Sequence, residues 1–170
     1  RIIVVGDSLT FGWYQRLEET YPKVLESLLN AAPDAGRKFE VYNMGVGGYN
    51  AAQELELLKT KALPLDPDMV IVGYCANDSA IGVDAGLWRH FTRSRSRLYD
   101  FVKLKLMQAR EVYTRENILE RSYAEMAAIS RAEGIPVIIG IFPSASDPGR
   151  DDLAMAGLCE ALGLPSVNFF

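Results

Sequence analysis

Apolar residues along this chain fall into short solid runs separated by stretches of helical spacing, and the two kinds of segment alternate. Ile2-Ile3-Val4-Val5 is a β-branched run that reads as a buried strand, broken by Gly6. Asp7, Ser8 and Thr10 follow, small polar residues that turn the backbone and cap a helix. Between Tyr21 and Leu29, Val24, Leu25, Leu28 and Leu29 lie on one face of a predicted helix. Lys38 to Tyr42 alternates as a second strand, and Asn43-Met44-Gly45-Val46-Gly47-Gly48 closes it as a glycine-rich loop. A helix is predicted over Ala51–Leu63 from Leu55, Leu58 and Ala62. Pro64 and Pro67 then punctuate before a third strand, Met69 to Tyr74.

From about Gly82 to Gly134 the connection is longer than one crossover helix needs, and it reads as two helices, near 97–111 and 115–133. Pro136 to Phe142 is a fourth strand, Asp151–Leu162 a helix, and Pro165 to Phe170 a fifth strand. Apolar strands alternating with helices predict an α/β fold in which a parallel sheet is covered on both faces. Right-handed crossovers make this a three-layer α/β/α domain, and the favoured strand order is the flavodoxin-like 2-1-3-4-5. The expectation is a single domain over residues 1–170.

Composition narrows the function classes. A net charge of −4 argues against general nucleic-acid affinity. Two cysteines, Cys75 and Cys159, make neither a disulfide framework nor a metal site, and Cys75 in its apolar run is expected to be a buried thiol. No stretch approaches the ~20 apolar residues of a membrane span. A nucleotide-binding reading lacks its Gly-x-Gly-x-x-Gly after the first strand. Compartment and oligomeric state stay open.

The strand order makes strands 2, 1 and 3 neighbours, so the loops leaving their C-terminal ends lie side by side, carrying Ser8, Gly48 and Asn77. Each has a possible job in acyl transfer. Ser8 supplies a hydroxyl nucleophile. Gly48 presents a backbone N–H with no Cβ in the way. Asn77 donates a side-chain N–H to a developing oxyanion, and the Ser8 backbone N–H is a third donor. Taken singly, each residue also has a structural reading: Ser8 as a helix cap and Gly47-Gly48 as a turn. Asn77-Asp78-Ser79 further matches a glycosylation sequon, at a poor acceptor position.

Taken together, these stretches resemble the GDSL or SGNH hydrolase family. Gly6-Asp7-Ser8-Leu9-Thr10-Phe11-Gly12 is similar to its first block, with Ser8 as nucleophile. Asn43 to Gly48 is similar to the second, with Gly48 as oxyanion donor, and Gly73-Tyr74-Cys75-Ala76-Asn77-Asp78 to the third, with Asn77 as donor. The resemblance implies hydrolysis or transfer of an ester-linked acyl group, on a small-molecule, glycan or lipid ester, without metal or cofactor. Asp7, Trp13, Tyr49 and Asp78 are further candidates for lining the substrate site, with Tyr14 beside them.

The family's Asp-x-x-His block is absent from these 170 residues; the single histidine is His90, and Leu87 stands three positions before it. A serine hydroxyl needs a base within reach, so the expectation is an Asp–His pair beyond Phe170. With no helix after the fifth strand, one face of strands 69–74 and 136–142 is expected to be poorly covered. The competing expectation is a non-catalytic relative that binds an acylated carbohydrate or lipid. The basic stretch from Arg89 to Arg110 reads as the solvated face of a helix or as a surface for anionic partners.

Overall fold

A computed structural model describes residues 1–32, 36–75, 78, 118–143 and 150–169, with backbone alone for 150–152. The expectations for Asn77, Trp88, His90 and the basic stretch therefore lie outside the described residues. Five strands form one parallel sheet in the order β2-β1-β3-β4-β5, the order predicted. They are β1 (Ile2–Gly6), β2 (Val41–Gly45), β3 (Met69–Tyr74), β4 (Val137–Ile141) and β5 (Ser166–Asn168). Helices α1 (Ser8–Phe11), α2 (Tyr21–Ala31), α3 (Ala51–Leu57), α4 (118–133) and α5 (Arg150–Leu162) connect them.

β1 is buried along its whole length because it lies between two strands and under helices on both faces. On one face Ile3, Val5, Val70, Val72, Tyr74, Val137, Ile139 and Ile141 form a continuous core with Leu55 and Leu58, with Tyr123, Met126 and Ala127 of α4, and with Met155 and Cys159 of α5. On the other, Ile2, Val4 and Val41 meet Tyr21 and Leu29 of α2 in a much smaller cluster.

Two of the element bounds and one helix face differ from the sequence pattern. β2 runs from Val41 to Gly45 rather than 38 to 42, since its pairing with β1 begins at Ile2↔Val41 and carries through to Gly6↔Gly45. The glycine-rich segment is thus half strand. α3 ends at Leu57 and continues as a π turn (Leu58–Ala62) and a 3-10 turn (Leu63–Leu65), where Pro64 brings no backbone donor. Of the four apolar positions predicted on one face of α2, Leu25 and Leu29 are partly buried, an i, i+4 strip below Tyr21, whereas Val24 and Leu28 are exposed. Because α2 rests over β2 and β1 at one side of the sheet, a narrow strip suffices to cover them.

Cys75 is partly buried rather than fully so, and Cys159 is buried. Among the described residues no helix is long and apolar enough to cross a membrane.

Candidate active site

Four glycines stand in register across four strands at the C-terminal end of the sheet: Gly45, Gly6, Gly73 and Gly140. Their missing side chains leave a shelf on the α2 face of the sheet. A Cβ on Gly45 would lie 2.2 Å from the Phe11 nitrogen, and one on Gly73 would lie 2.5 Å from Thr10 Oγ1 and 2.7 Å from the Tyr21 hydroxyl. The short helix α1 occupies that shelf. Thr10, fully buried, exchanges a hydrogen bond with Tyr21 at 2.9 Å. Asn43 Nδ2 donates to the Thr10 carbonyl at 2.8 Å while its Oδ1 accepts from the Gly45 N–H at 3.0 Å, which ties α1 to β2. Burial pushes the Tyr21 phenol well above its ordinary value, so it stays a neutral donor.

Ser8 is the first residue of α1. The carboxylate of Asp7 caps the helix by accepting from the Leu9 N–H at 2.9 Å, and Ser8 Oγ lies 3.4 Å from the other Asp7 oxygen. Gly12, left-handed at φ 77°, closes the helix by donating to the Ser8 carbonyl at 3.0 Å. Asp7 itself is 1% exposed, so it supports the turn from below rather than lining a surface.

The second loop reaches the same place. Val46 N–H donates to the Gly6 carbonyl at 2.9 Å, extending the β1–β2 pairing by one bond. A Cβ on Gly47 would lie 4.0 Å from Ser8 Cβ and 3.7 Å from the Trp13 ring. Gly48 has φ 82°, a left-handed conformation natural to glycine, and no atom stands within 4 Å of where its Cβ would be. Among the described residues no backbone carbonyl accepts from the N–H of Ser8 or of Gly48. Asn50 then starts α3 with a capping box, its Oδ1 accepting from Gln53 N–H at 3.0 Å. Tyr49, between loop and cap, is partly buried. Trp13 and Tyr14 are exposed and stack with centroids 6.4 Å apart, forming an aromatic rim beside Gly47.

The third loop is anchored by Asp78, which is 0% exposed. Its Oδ2 accepts from the Cys75 N–H at 3.0 Å and from the Tyr123 hydroxyl at 3.4 Å, and its own N–H donates to the Cys75 carbonyl at 2.9 Å. Asp78 therefore ties back to Cys75 at the end of β3. Near it lies Glu54 of α3, equally buried. Burial first, and then the charge of Asp78, push the Glu54 carboxyl well above the carboxylate range; burial likewise raises Asp78.

The sequence pattern brings Ser8 and the Gly47–Gly48 loop together as the strand order requires. It missed the ties that Asn43, Thr10 and Tyr21 make between those loops, and the burial of Glu54. Asn43, a polar residue closing an apolar strand, was the available signal. A separate groove of about 310 Å³ lies between α2 and β2, lined by Lys23, Glu26, Asn30 and Val41, and none of the candidate residues borders it.

No curated protein matches this chain in sequence. Among solved structures, AlinE4, described as an SGNH-hydrolase family esterase, shares 20% identity at a TM-score of 0.58, over 98% of this chain and 75% of that one. A GDSL-like lipase from Bacteroides thetaiotaomicron shares 19% at 0.56, over 100% and 68%. A two-domain esterase active on acetylated mannans shares 15% at 0.63, over 98% of this chain and 36% of that one. These likenesses agree on the fold. A sequence profile of the GDSL-like lipase/acylhydrolase family matches residues 4–169, and the chain belongs to that family of hydrolases.

Proposed function

We propose that this hydrolase cleaves or transfers an ester-linked acyl group with Ser8 as nucleophile. Ser8 Oγ attacks the ester carbonyl and loses its proton to a base that the described residues do not include. The new Oγ–C bond creates an oxyanion, which the N–H groups of Ser8 and Gly48 and the side chain of Asn77 stabilise. Collapse expels the alcohol with a proton, and water or a second alcohol then takes the acyl group. The observation that carries this reading is the pair of uncommitted N–H groups on two loops that meet at Ser8.

The exposed Trp13–Tyr14 rim favours a carbohydrate ester, because a stacked aromatic pair offers flat faces for a sugar ring. The acetylated-mannan esterase among the structural neighbours points the same way.

A fluorophosphonate probe should label the Ser8 peptide, and Ser8→Ala should abolish labelling and lower aryl-acetate turnover on the order of 10⁴-fold or more. Turnover that survives Ser8→Ala sinks the assignment. The second reading, a binding domain without turnover, keeps the exposed Trp13–Tyr14 pair as its ligand-facing surface. It predicts retention on acetylated oligosaccharide with no phosphonate labelling.

A further inference from the structure

Trp13 and Tyr14 occupy the two central positions of a β-turn that opens at Gly12 and closes at Gln15, whose N–H donates to the Gly12 carbonyl at 3.0 Å. Tyr14 is left-handed at φ 69°, and Trp13 is not. A turn of this kind asks for glycine at its third position, because a side chain is strained there. Tyrosine stands in that place and recovers nothing by burial, since Tyr14 is wholly exposed and Trp13 is 62% exposed. Two large rings are thus held in water, one of them against its backbone preference, where smaller residues would fold better. Strain kept at a surface with no return in packing points to a contact made with something outside the chain.

The turn is tied to the nucleophile. The N–H groups of Gly12 and Trp13 both donate to the Ser8 carbonyl, at 3.0 and 3.4 Å. The Cβ position of Gly47 lies 3.7 Å from the Trp13 ring and 4.0 Å from Ser8 Cβ, so ring and nucleophile flank one point, and glycine puts no side chain there. What rests on Trp13 is therefore the part of a substrate joined to the ester. The Tyr14 ring follows, 22° from parallel with Trp13 and 6.4 Å away between centroids, a step comparable to one sugar along an extended glycan. An acyl chain would need a groove that takes its methylenes out of water, and the groove of about 310 Å³ lies elsewhere, between α2 and β2. A sugar needs only a flat face to lie on.

We propose that Tyr14 is a specificity-determining residue that stacks on the sugar next to the one bearing the ester, so that the site takes O-acylated oligosaccharides in preference to acylated monosaccharides. The place of Trp13 beside the scissile ester rests on the hydrolase reading above; the two-ring platform for a glycan does not.

Binding is read first, because it needs no turnover. Ser8→Ala protein is titrated calorimetrically with cellotetraose, xylotetraose and mannotetraose, and with the methyl glycosides of the same sugars. At least one tetraose should bind about tenfold tighter than its methyl glycoside, and adding Tyr14→Gly should weaken that tetraose about 3- to 10-fold. Tyr14→Phe, which keeps the ring, should hold the parent affinity. Tyr14→Gly supplies the residue the turn prefers, so its melting temperature should equal or exceed that of the parent. A lower melting temperature would show that packing holds the ring, and it would overturn the proposal. Equal affinity for tetraoses and methyl glycosides, or an unchanged titration in Tyr14→Gly, would do the same. So would Tyr14-dependent binding to phosphatidylcholine vesicles in place of the tetraoses. With Ser8 restored, the O-acetylated forms of the preferred pair should show Tyr14→Gly raising KM more on the tetraose than on the monosaccharide. If no ester is turned over at all, the hydrolase reading fails, and the titrations still decide the platform.

Discussion

The two faces of the sheet are built on opposite principles. The face under α3, α4 and α5 is filled with branched and aromatic side chains: Ile3, Val5, Val70, Val72, Ile139 and Ile141 are all fully buried. The face under α2 carries glycine where the other carries bulk, and toward β5 it opens. Ile71 and Ile138 are partly buried there, and Val167 and Phe169 are 49% and 56% exposed. The full face supplies the burial that stabilises the domain. The sparse face gives up burial at one end so that α1 can lie against bare backbone and present Ser8 at the rim. Stability and site placement are thus assigned to different sides of the same strands.

If the glycine row is a seat for α1, filling it should do the most damage. In Gly45→Ala the new methyl meets the backbone of Thr10 and Phe11, at 2.5 Å and 2.2 Å, and backbone cannot rotate away. The loss should reach about 3 kcal/mol or more, the upper end for overpacking, measured by urea unfolding. Wild-type stability in Gly45→Ala would mean that α1 is not seated there.

Neighbouring isoleucines on β4 compare the faces directly. Ile139→Ala, on the full face, should cost about 3 kcal/mol. Ile138→Ala, one residue away on the sparse face, should cost about 1 kcal/mol, because a partly exposed side chain loses less transfer energy and leaves no closed cavity. Equal losses would show that the two faces do not differ in cover.

The comparison also marks what the linear pattern could reveal. β1, β3 and β4 were readable because strands buried on both faces are apolar throughout, and the loops bearing Ser8 and Gly48 followed from strand order. The glycine row was not readable. Gly6, Gly45, Gly73 and Gly140 each look like a local break or turn, and only the register aligns them into one feature. Glu54 was hidden for a related reason. The helical pattern around it is set by Leu55 and Leu58, and a carboxylate beside them reads as solvent-facing until the fold turns it inward. Asp7 and Asp78 stand out in the sequence as candidates for the substrate site, whereas their burial is a property of the tertiary structure.

A pH-graded effect belongs to the full face. Glu54 has a folded-state pKa raised by burial and by Asp78, above the ordinary carboxyl value of 4.5 that applies unfolded. Below that value Glu54 is protonated in both states, and its contribution to stability is fully present. As pH rises toward the folded value the unfolded chain releases the proton first, and stability is lost. Glu54→Gln removes this titration, so its stability relative to wild type should grow as pH increases from about 4.5 toward the alkaline side, in thermal melts across pH. A difference independent of pH would contradict a raised Glu54.

The smallest effect comes from the bond that pins α1 to the sparse face. Tyr21→Phe removes one hydroxyl, the partner of Thr10 Oγ1 at 2.9 Å, and keeps the ring against Phe142 at 5.1 Å between centroids. Thr10 is fully buried, so its hydroxyl is left without that partner, and the cost should be about 1 kcal/mol. If α1 were held mainly by the Asp7 cap, this loss would be confined to stability. Because Thr10 also takes Asn43 through its carbonyl, loosening its side chain frees the segment that follows Ser8. Ester turnover in Tyr21→Phe should therefore fall by a few-fold, about 2- to 10-fold in kcat, at a stability cost that Ile138→Ala matches without any loss of turnover. The ratio of activity lost to stability lost then distinguishes a seat for the nucleophile from ordinary packing, and the two variants act on the same face of the same sheet.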